Sequence, residues 1–349
     1  MPRFCMKDNK IIYIRVDANE HIAMGHLMRT LSIAEAVRAV GGECCFITAD
    51  NQGHEKILER GFTAICLGTV WDDLNSEIAV MEQLIREQNI GCLLLDSYYV
   101  TPEYMDTLSK MTRLVYIDDL KAFPYSCKVL INYVIGETGE AYAGFGGELY
   151  TGSLYVPLRT EFSETEGKIE ENLQTIMVTT GGADRYHFGI GFLQAILADK
   201  RFSNCKVTMV VGSKSIDKEY ILTAYGKSDR VKIIVDANNM GWLMKQADCI
   251  VSAGGTTLYE ACACKTPAIS YAVADNQITN VLRFHDLGAL YYAGDVRDGM
   301  KEVIERILER LEYMKPHCIR KEIADKMGMA VDGKGAVRIA EILMKLFNE

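Results

Sequence analysis

"IIYIRV" (11–16) followed by "DANEHIAMGHLMRTLSIAEAV" (17–37) is the stretch on which the fold reading turns. Its first six residues are a short apolar run rich in β-branched side chains, the composition of a buried strand. Leu27, Leu31, Ile33, Ala34 and Val37 then recur at helical spacing, and Gly41-Gly42 suit a helix end. The same alternation continues with "CCFIT" (44–48), "CLLLD" (92–96) and "LVYID" (114–118), separated by helical patterns such as Leu74 to Gln88. Strands that are apolar throughout, with helices between them, imply a parallel sheet covered on both faces.

The pattern then breaks and restarts. "SETEGKIEEN" (163–172) is polar, charged and without strand character, which reads as a linker. Beyond it come "TIMVTT", "KVTMVV", "VKIIV", "DCIVS" and "PAISY", again alternating with helical stretches, and a strong helical pattern over Gly335 to Phe347. The expectation is an α/β protein of two facing, doubly wound, Rossmann-like domains. They would span 1–162 and 173–349, with linker 163–172 and a last helix able to pack back on the first domain. Ligands of open parallel sheets bind beyond the carboxyl ends of the strands, so the expected site is a cleft between two such edges.

Composition narrows the chemistry. Of 349 residues 49% are hydrophobic and 24% charged, a globular profile, and the net charge of −9 argues against nucleic acid or an anionic membrane as the main partner. The odd count of 11 cysteines lies mostly within apolar runs, which suits buried thiols in a reducing cytoplasm. Cys262 and Cys264 form a C-x-C pair without a second pair at zinc spacing, so no metal is expected. "MPRFCMKDNK" has no apolar core of a signal peptide, and no apolar run approaches the roughly 20 residues of a membrane helix.

Polar residues and glycines gather after the strands, and substrate contacts are expected from Arg15, Asp17, Gly25, Tyr98, Gly182, Ala183, Asp184, Gly254, Gly255, Thr256, Asn276 and Gln277 among them. Arg15 lies within the first strand and Asp17 follows it; Asp96, Ser97 and Tyr98 follow "CLLL", and Asp118-Asp119 follow "LVYI". Gly181, Gly182, Ala183 and Asp184 follow "IMVTT"; Gly254, Gly255 and Thr256 follow "CIVSA"; Asn276 and Gln277 lie beyond "PAISYAV". Each glycine pair stands between a strand and a helix, where backbone N–H groups can cradle a diphosphate or simply make a tight turn. There is no G-x-G-x-x-G after the first strand, so the dinucleotide fingerprint is missing. His26, beside Gly25 at the start of the first helix, is a candidate general base: the helix terminus disfavours a charged ring, and a neutral imidazole accepts a proton. A capping or packing role is the alternative. His54, His187, His285 and His317 sit in polar or surface-like contexts with no comparable signal, and His21 reads as a bystander. Glu260 could accept both ribose hydroxyls, or serve only as a charge at a helix N-terminus.

"RVDANEHIAMGHLMR", "LLLDSYYV", "YIDDL", "YVPLRTEF", "TTGGAD", "SAGGTTLYEACACKTPAI" and "ADNQ" occur in order over roughly Ile11 to Asp295. Together they resemble the UDP-sugar hydrolases of the pseudaminic-acid pathway, whose first loop ends in Gly-His-x-x-Arg. The "GGTTLYE" stretch is similar, more widely, to two-domain nucleotide-sugar glycosyltransferases of the kind that make the peptidoglycan lipid precursor. The resemblance implies a GT-B-like fold and hydrolysis, with inversion, of a UDP-linked diacetamido-trideoxy sugar, without cofactor or metal. It places the catalytic base on His26, the first-domain tyrosine on Tyr98, and nucleotide contacts on Glu260, Asn276 and the main chain around Met240. Ser97 stands where the family often has histidine, Ala23 where it has glycine, and Thr160 where proline is common.

Two other classes compete with a hydrolase: a glycosyltransferase with a sugar or lipid acceptor, and an inactive nucleotide-sugar-binding subunit. The first domain carries no Lys/Arg cluster, which favours the hydrolase over a membrane-acting transferase, and the Gly25-His26 pair argues against an inactive subunit. The expected partner is thus a UDP-sugar, with no nucleic acid and no membrane insertion. Oligomeric state is left open.

Overall fold

The structure is a computed structural model describing residues 11–19, 22, 24–163, 167–212 and 214–349. His21, Ala23, the N-terminal ten residues and 164–166 of the expected linker lie outside the described residues. The chain divides into two compact units: one runs to Thr160 and takes back Lys334–Glu349, and the other is Glu161–Gly333.

In the first unit the apolar runs become strands β1 (Ile11–Val16), β2 (Glu43–Thr48), β3 (Thr63–Cys66), β4 (Cys92–Asp96), β5 (Arg113–Ile117), β6 (Val129–Asn132) and β7 (Glu148–Thr151). Helices α1 (Gly25–Ala39), α2 (His54–Glu59), α3 (Ile78–Gln88) and α4 (Pro102–Ser109) connect them. Every pairing in the sheet is parallel, in the order β3-β2-β1-β4-β5-β6-β7. Ile12, Ile14, Leu93, Leu94, Leu95 and Val115 are all fully buried, as a sheet covered on both faces requires.

The second unit repeats the plan. Strands β8 (Thr175–Thr179), β9 (Lys206–Val211), β10 (Val231–Val235), β11 (Cys249–Ala253), β12 (Ala268–Ala272) and β13 (Tyr291–Asp295) form a parallel sheet in the order β10-β9-β8-β11-β12-β13. Its helices are α5 (Phe188–Ala198), α6 (Lys218–Tyr225), α7 (Met240–Lys245), α8 (Thr257–Ala263), α9 (Asp275–Asp286), α10 (Val296–Tyr313) and α11 (His317–Ala330). In both sheets the order reverses once, between β1 and β4 and between β8 and β11. Helices leaving these neighbours go to opposite faces and open a crevice at the carboxyl edge.

Two boundaries differ from the sequence reading. The last helix, α12 (Gly335–Asn348), packs back on the first unit, as the sequence reading allowed, so the second unit ends at Gly333 rather than at 349. Its apolar stripe, Ile339, Leu343 and Leu346, packs against α1, β4 and β5. Gly335 explains the close entry: a Cβ there would lie 2.2 Å from the Val156 carbonyl oxygen. The stretch 163–172 is also not a loose tether where it is described. Gly167 N donates to Cys264 O at 3.1 Å and Arg320 Nη2 to Glu171 O at 2.9 Å, so it packs on the second unit. Polar composition conceals this, because the contacts run through backbone atoms.

Candidate active site

The crevice of the first unit is built by β1 and β4. The loop after β1 leads into α1, which places His26 as its second residue. Asp96 is the last residue of β4. Because these strands are neighbours, the two side chains meet: His26 Nδ1 lies 2.6 Å from Asp96 Oδ1. One helical turn on, Arg29 grips the same carboxylate through both of its oxygens, with Nε donating to Oδ2 at 2.6 Å. Arg29 also donates to Tyr133 Oη, and to Asp119 Oδ2 at 3.2 Å. Tyr98 donates to Asp119 Oδ2 at 3.1 Å, and its ring meets the His26 ring edge-on at 4.3 Å between centroids.

This geometry assigns the imidazole tautomer. Arg29 Nη2 is 3.0 Å from His26 Nδ1 but can only donate, whereas the short contact to Asp96 needs a hydrogen between nitrogen and carboxylate. Nδ1 therefore carries a proton, so in the neutral ring the lone pair lies on Nε2. Burial raises the Asp96 carboxyl, but Arg29 and then His26 more than offset it and hold it at about 2. The Tyr98 hydroxyl is pushed up by burial and then by Asp119, so it stays a neutral donor. Tyr98 is half exposed, and Gly25 borders open space: a Cβ there would meet nothing within 4 Å.

Arg15 and Asp17 do not belong to this site. Arg15 is fully buried, forked onto Glu77 by two 2.8 Å hydrogen bonds and bonded to Asp17 at 2.6 Å. Asp17 accepts Ala49 N at 2.7 Å with its other oxygen, and Tyr104 and Thr69 complete the cluster around Glu77. The expectation of substrate contacts from these two residues is corrected: their polar atoms are spent tying β1 to the chain around Glu77 and β2. The adjacent aspartates divide as a strand end should. Asp118 is buried, accepting from Tyr142, Leu120 N and Lys121 N, while Asp119 joins Arg29 and Tyr98.

The crevice of the second unit lies between the loops after β8 and β11. Gly181 takes a left-handed φ of +79°, and Cβ atoms at Gly182 or Gly255 would meet nothing within 4 Å, so both loops present bare backbone outward. Gly212, after β9, lies directly against the first loop: a Cβ there would sit 2.5 Å from Gly182 O and 2.7 Å from its Cα. Gly212→Ala is expected to displace the Gly181-Gly182 turn and cost about 1–3 kcal/mol, read by urea unfolding.

Ala183, Thr256 and Asn276 are exposed on this edge; Met240, at the start of α7, and Glu260, one turn into α8, are half-buried. Three expected ligand residues instead shape the backbone. Asp184 accepts Phe188 N at 3.0 Å and Gly189 N at 2.7 Å and so caps α5; burial pushes its carboxyl up. Gln277 accepts Val273 N at 3.0 Å. Gly254 is covered, with Val281 Cγ2 2.5 Å from where its Cβ would be. Sequence reasoning notes Asp96 and Asp119 at strand ends, and Arg29 within the Gly-His-x-x-Arg motif, but gives none of the three a role in the site. The aspartates stand at strand ends and Arg29 one turn after His26, so position alone is a usable signal for all three. Tyr133 follows β6, a four-residue strand that the sequence pattern does not single out. Among the described residues no cluster of three or more His, Cys, Asp or Glu could hold a metal ion.

Residues 175–326 match the model of the glycosyltransferase family 28 C-terminal domain. The chain is 26% identical over 347 residues to the spore coat polysaccharide biosynthesis protein SpsG of Bacillus subtilis, covering 96% of this chain and 98% of that one. Among solved structures, MurG of Acinetobacter baumannii superimposes with a TM-score of 0.69 at 12% identity, covering 97% and 99% of the two chains. HepE of Anabaena in complex with UDP-glucose gives 0.56 at 12% identity, covering 96% and 99%. The fold is that of the GT-B glycosyltransferases. No helix of the described residues is long and apolar enough to cross a membrane.

Proposed function

We propose that this chain cleaves the bond between the sugar and the diphosphate of a UDP-sugar, with His26 as the base that activates the incoming nucleophile. The observation that carries the reading is the His26–Asp96 pair at the strand-order reversal of the first unit, with Nδ1 committed to the carboxylate. The nucleophile's O–H gives its proton to Nε2 as its oxygen bonds to the anomeric carbon. The C–O bond to phosphate breaks on the opposite side, and UDP leaves. Asp96 holds the ring in register and stabilises the imidazolium that forms. The bare backbone at Gly181-Gly182 and at Gly255 suits the diphosphate charge. Glu260 takes the ribose hydroxyls, the main chain at Met240 faces the uracil, and Asn276 lies near the sugar or phosphate.

A saccharide or lipid acceptor is the reading favoured by the family 28 domain and by the spore coat polysaccharide relative. Water is the second reading, favoured by the resemblance of the Gly25-His26-x-x-Arg29 loop to sugar-nucleotide hydrolases. The substrate would then be a UDP-diacetamido-trideoxy sugar feeding nonulosonic acid synthesis. The test is UDP release from a panel of UDP-sugars. Turnover at roughly 1–10³ s⁻¹ in water alone supports the hydrolase. A trickle that an added acceptor accelerates supports the transferase. No release under either condition defeats both. Glu260→Ala is expected to weaken UDP binding by about 1–3 kcal/mol in calorimetric titration. Unchanged affinity would make Glu260 a helix-terminus charge.

A further inference from the structure

A second histidine–aspartate pair stands on the carboxyl edge of the second unit. β8 and β9 are neighbours in the sheet, so the loops that follow them lie side by side. His187 ends the first loop and Asp217 the second. His187 Nδ1 lies 2.8 and 2.9 Å from the two Asp217 oxygens. His187 is on the surface, as its sequence context suggests, but that context gives no sign of the pairing with Asp217.

Four features make the pair more than a surface contact. The carboxylate is buried while 60% of the imidazole side chain is exposed, so the ring is anchored at Nδ1 and open at Nε2. His187 takes the left-handed conformation, φ 58° and ψ 25°, which non-glycine residues rarely hold and which recurs at functional sites. The same two loops also carry Thr180 and Ser215, each 8% exposed, whose buried hydroxyls find no protein partner. Exposed Arg185 and Lys214 flank the pair.

We infer that His187, held by Asp217, is a phosphate ligand: its protonated ring donates from Nε2 to a diphosphate oxygen lying on the Gly181-Gly182 turn. The inference rests on the UDP-sugar reading and deepens it, by assigning a side chain to the leaving group. No covalent step is involved. Asp217 on one side and the phosphate on the other both stabilise the charged ring, and its hydrogen bond strengthens as charge gathers on the departing diphosphate.

The test is calorimetric titration of the full chain with UDP and, separately, with uridine, which lacks phosphate. His187→Asn keeps a residue that tolerates the left-handed backbone but removes the charge. The expected result is a loss of UDP affinity of about 10- to 100-fold, the range for a hydrogen bond between charged groups, with uridine affinity unchanged. Asp217→Asn is expected to lower UDP affinity in the same selective way. Unchanged UDP affinity in His187→Asn, or a parallel fall for UDP and uridine, overturns the inference and makes the pair structural. A wild-type chain that binds uridine and UDP equally also overturns it. A wild-type chain that binds neither defeats the UDP-sugar reading itself.

Discussion

His26→Asn is expected to lower turnover by ~10²–10⁴-fold, the usual worth of a positioned general base, while UDP affinity stays at the wild-type value. Asparagine is polar and smaller, and its amide has no basic nitrogen to take a proton. The loss should fall on the chemical step because the residue makes its decisive contact only as the nucleophile's proton leaves. Unfolding is not expected: the backbone carbonyl of residue 26 still accepts Thr30 Oγ1, and Arg29 still pairs with Asp96. Single-turnover kinetics with a UDP-sugar, paired with UDP titration, separates the two quantities. Intact turnover would return His26 to a packing role.

Asp96→Asn is expected to act on both activity and stability. An amide at position 96 can accept from Nδ1–H or donate to a bare Nδ1, so the tautomer that exposes a basic Nε2 is no longer enforced. In serine-protease triads, replacing the aspartate that orients the catalytic histidine by asparagine costs about 10⁴ in kcat for this reason. A loss of ~10²–10⁴-fold is expected here. The variant also removes the main partner of the Arg29 guanidinium. Breaking a buried ion pair costs about 3–5 kcal/mol, and the low end is expected because Asp119 and Tyr133 still bond Arg29. The sign of the pH dependence follows from the carboxyl being held at about 2, below its unfolded value near 3.9. Its contribution is complete above about pH 4 and is lost as pH falls towards about 2. Urea unfolding at a series of pH values should therefore show the gap between wild type and Asp96→Asn narrowing over that window. A constant gap would mean that the carboxylate is not the stabilising charge.

The fold is legible because β1, β2, β4, β5, β8, β9, β11 and β12 are largely buried apolar runs, and the edge strand β10 is apolar enough to read alongside them. Elements that escape a sequence reading lack that signature. β3 ("TAIC") and β7 ("ELYT") are four-residue edge strands, exposed or half-buried along their length, and β13 pairs with β12 through a register shift. Helix α12 is readable as a helix, but its owner is not: sequence shows an apolar stripe without showing which unit offers the matching groove. The site divides in the same way. His26 stands out because position after a strand is a local property. Its partner is 70 residues away and meets it only because β1 and β4 are neighbours. Arg15 and Asp17 satisfy the same positional rule and are misplaced by it. What separates them is the direction of the side chain and the presence of Glu77 at 2.8 Å, a long-range pairing no local pattern encodes. His187 escapes notice because its local context is polar, while its meaning lies in Asp217 across two loops.

The central claim, a direct displacement at the anomeric carbon with His26 as the only base on the nucleophile, is tested most directly by the stereochemistry of the product. The first-formed sugar product can be followed by ¹H NMR from the moment a cleaved UDP-sugar is mixed with enzyme, before mutarotation. A single displacement inverts the anomeric centre, so the expected product has the configuration opposite to the substrate, with UDP appearing in equal amount. Retained configuration would mean that the nucleophile does not attack opposite the leaving diphosphate, and would contradict the direct displacement assigned to His26.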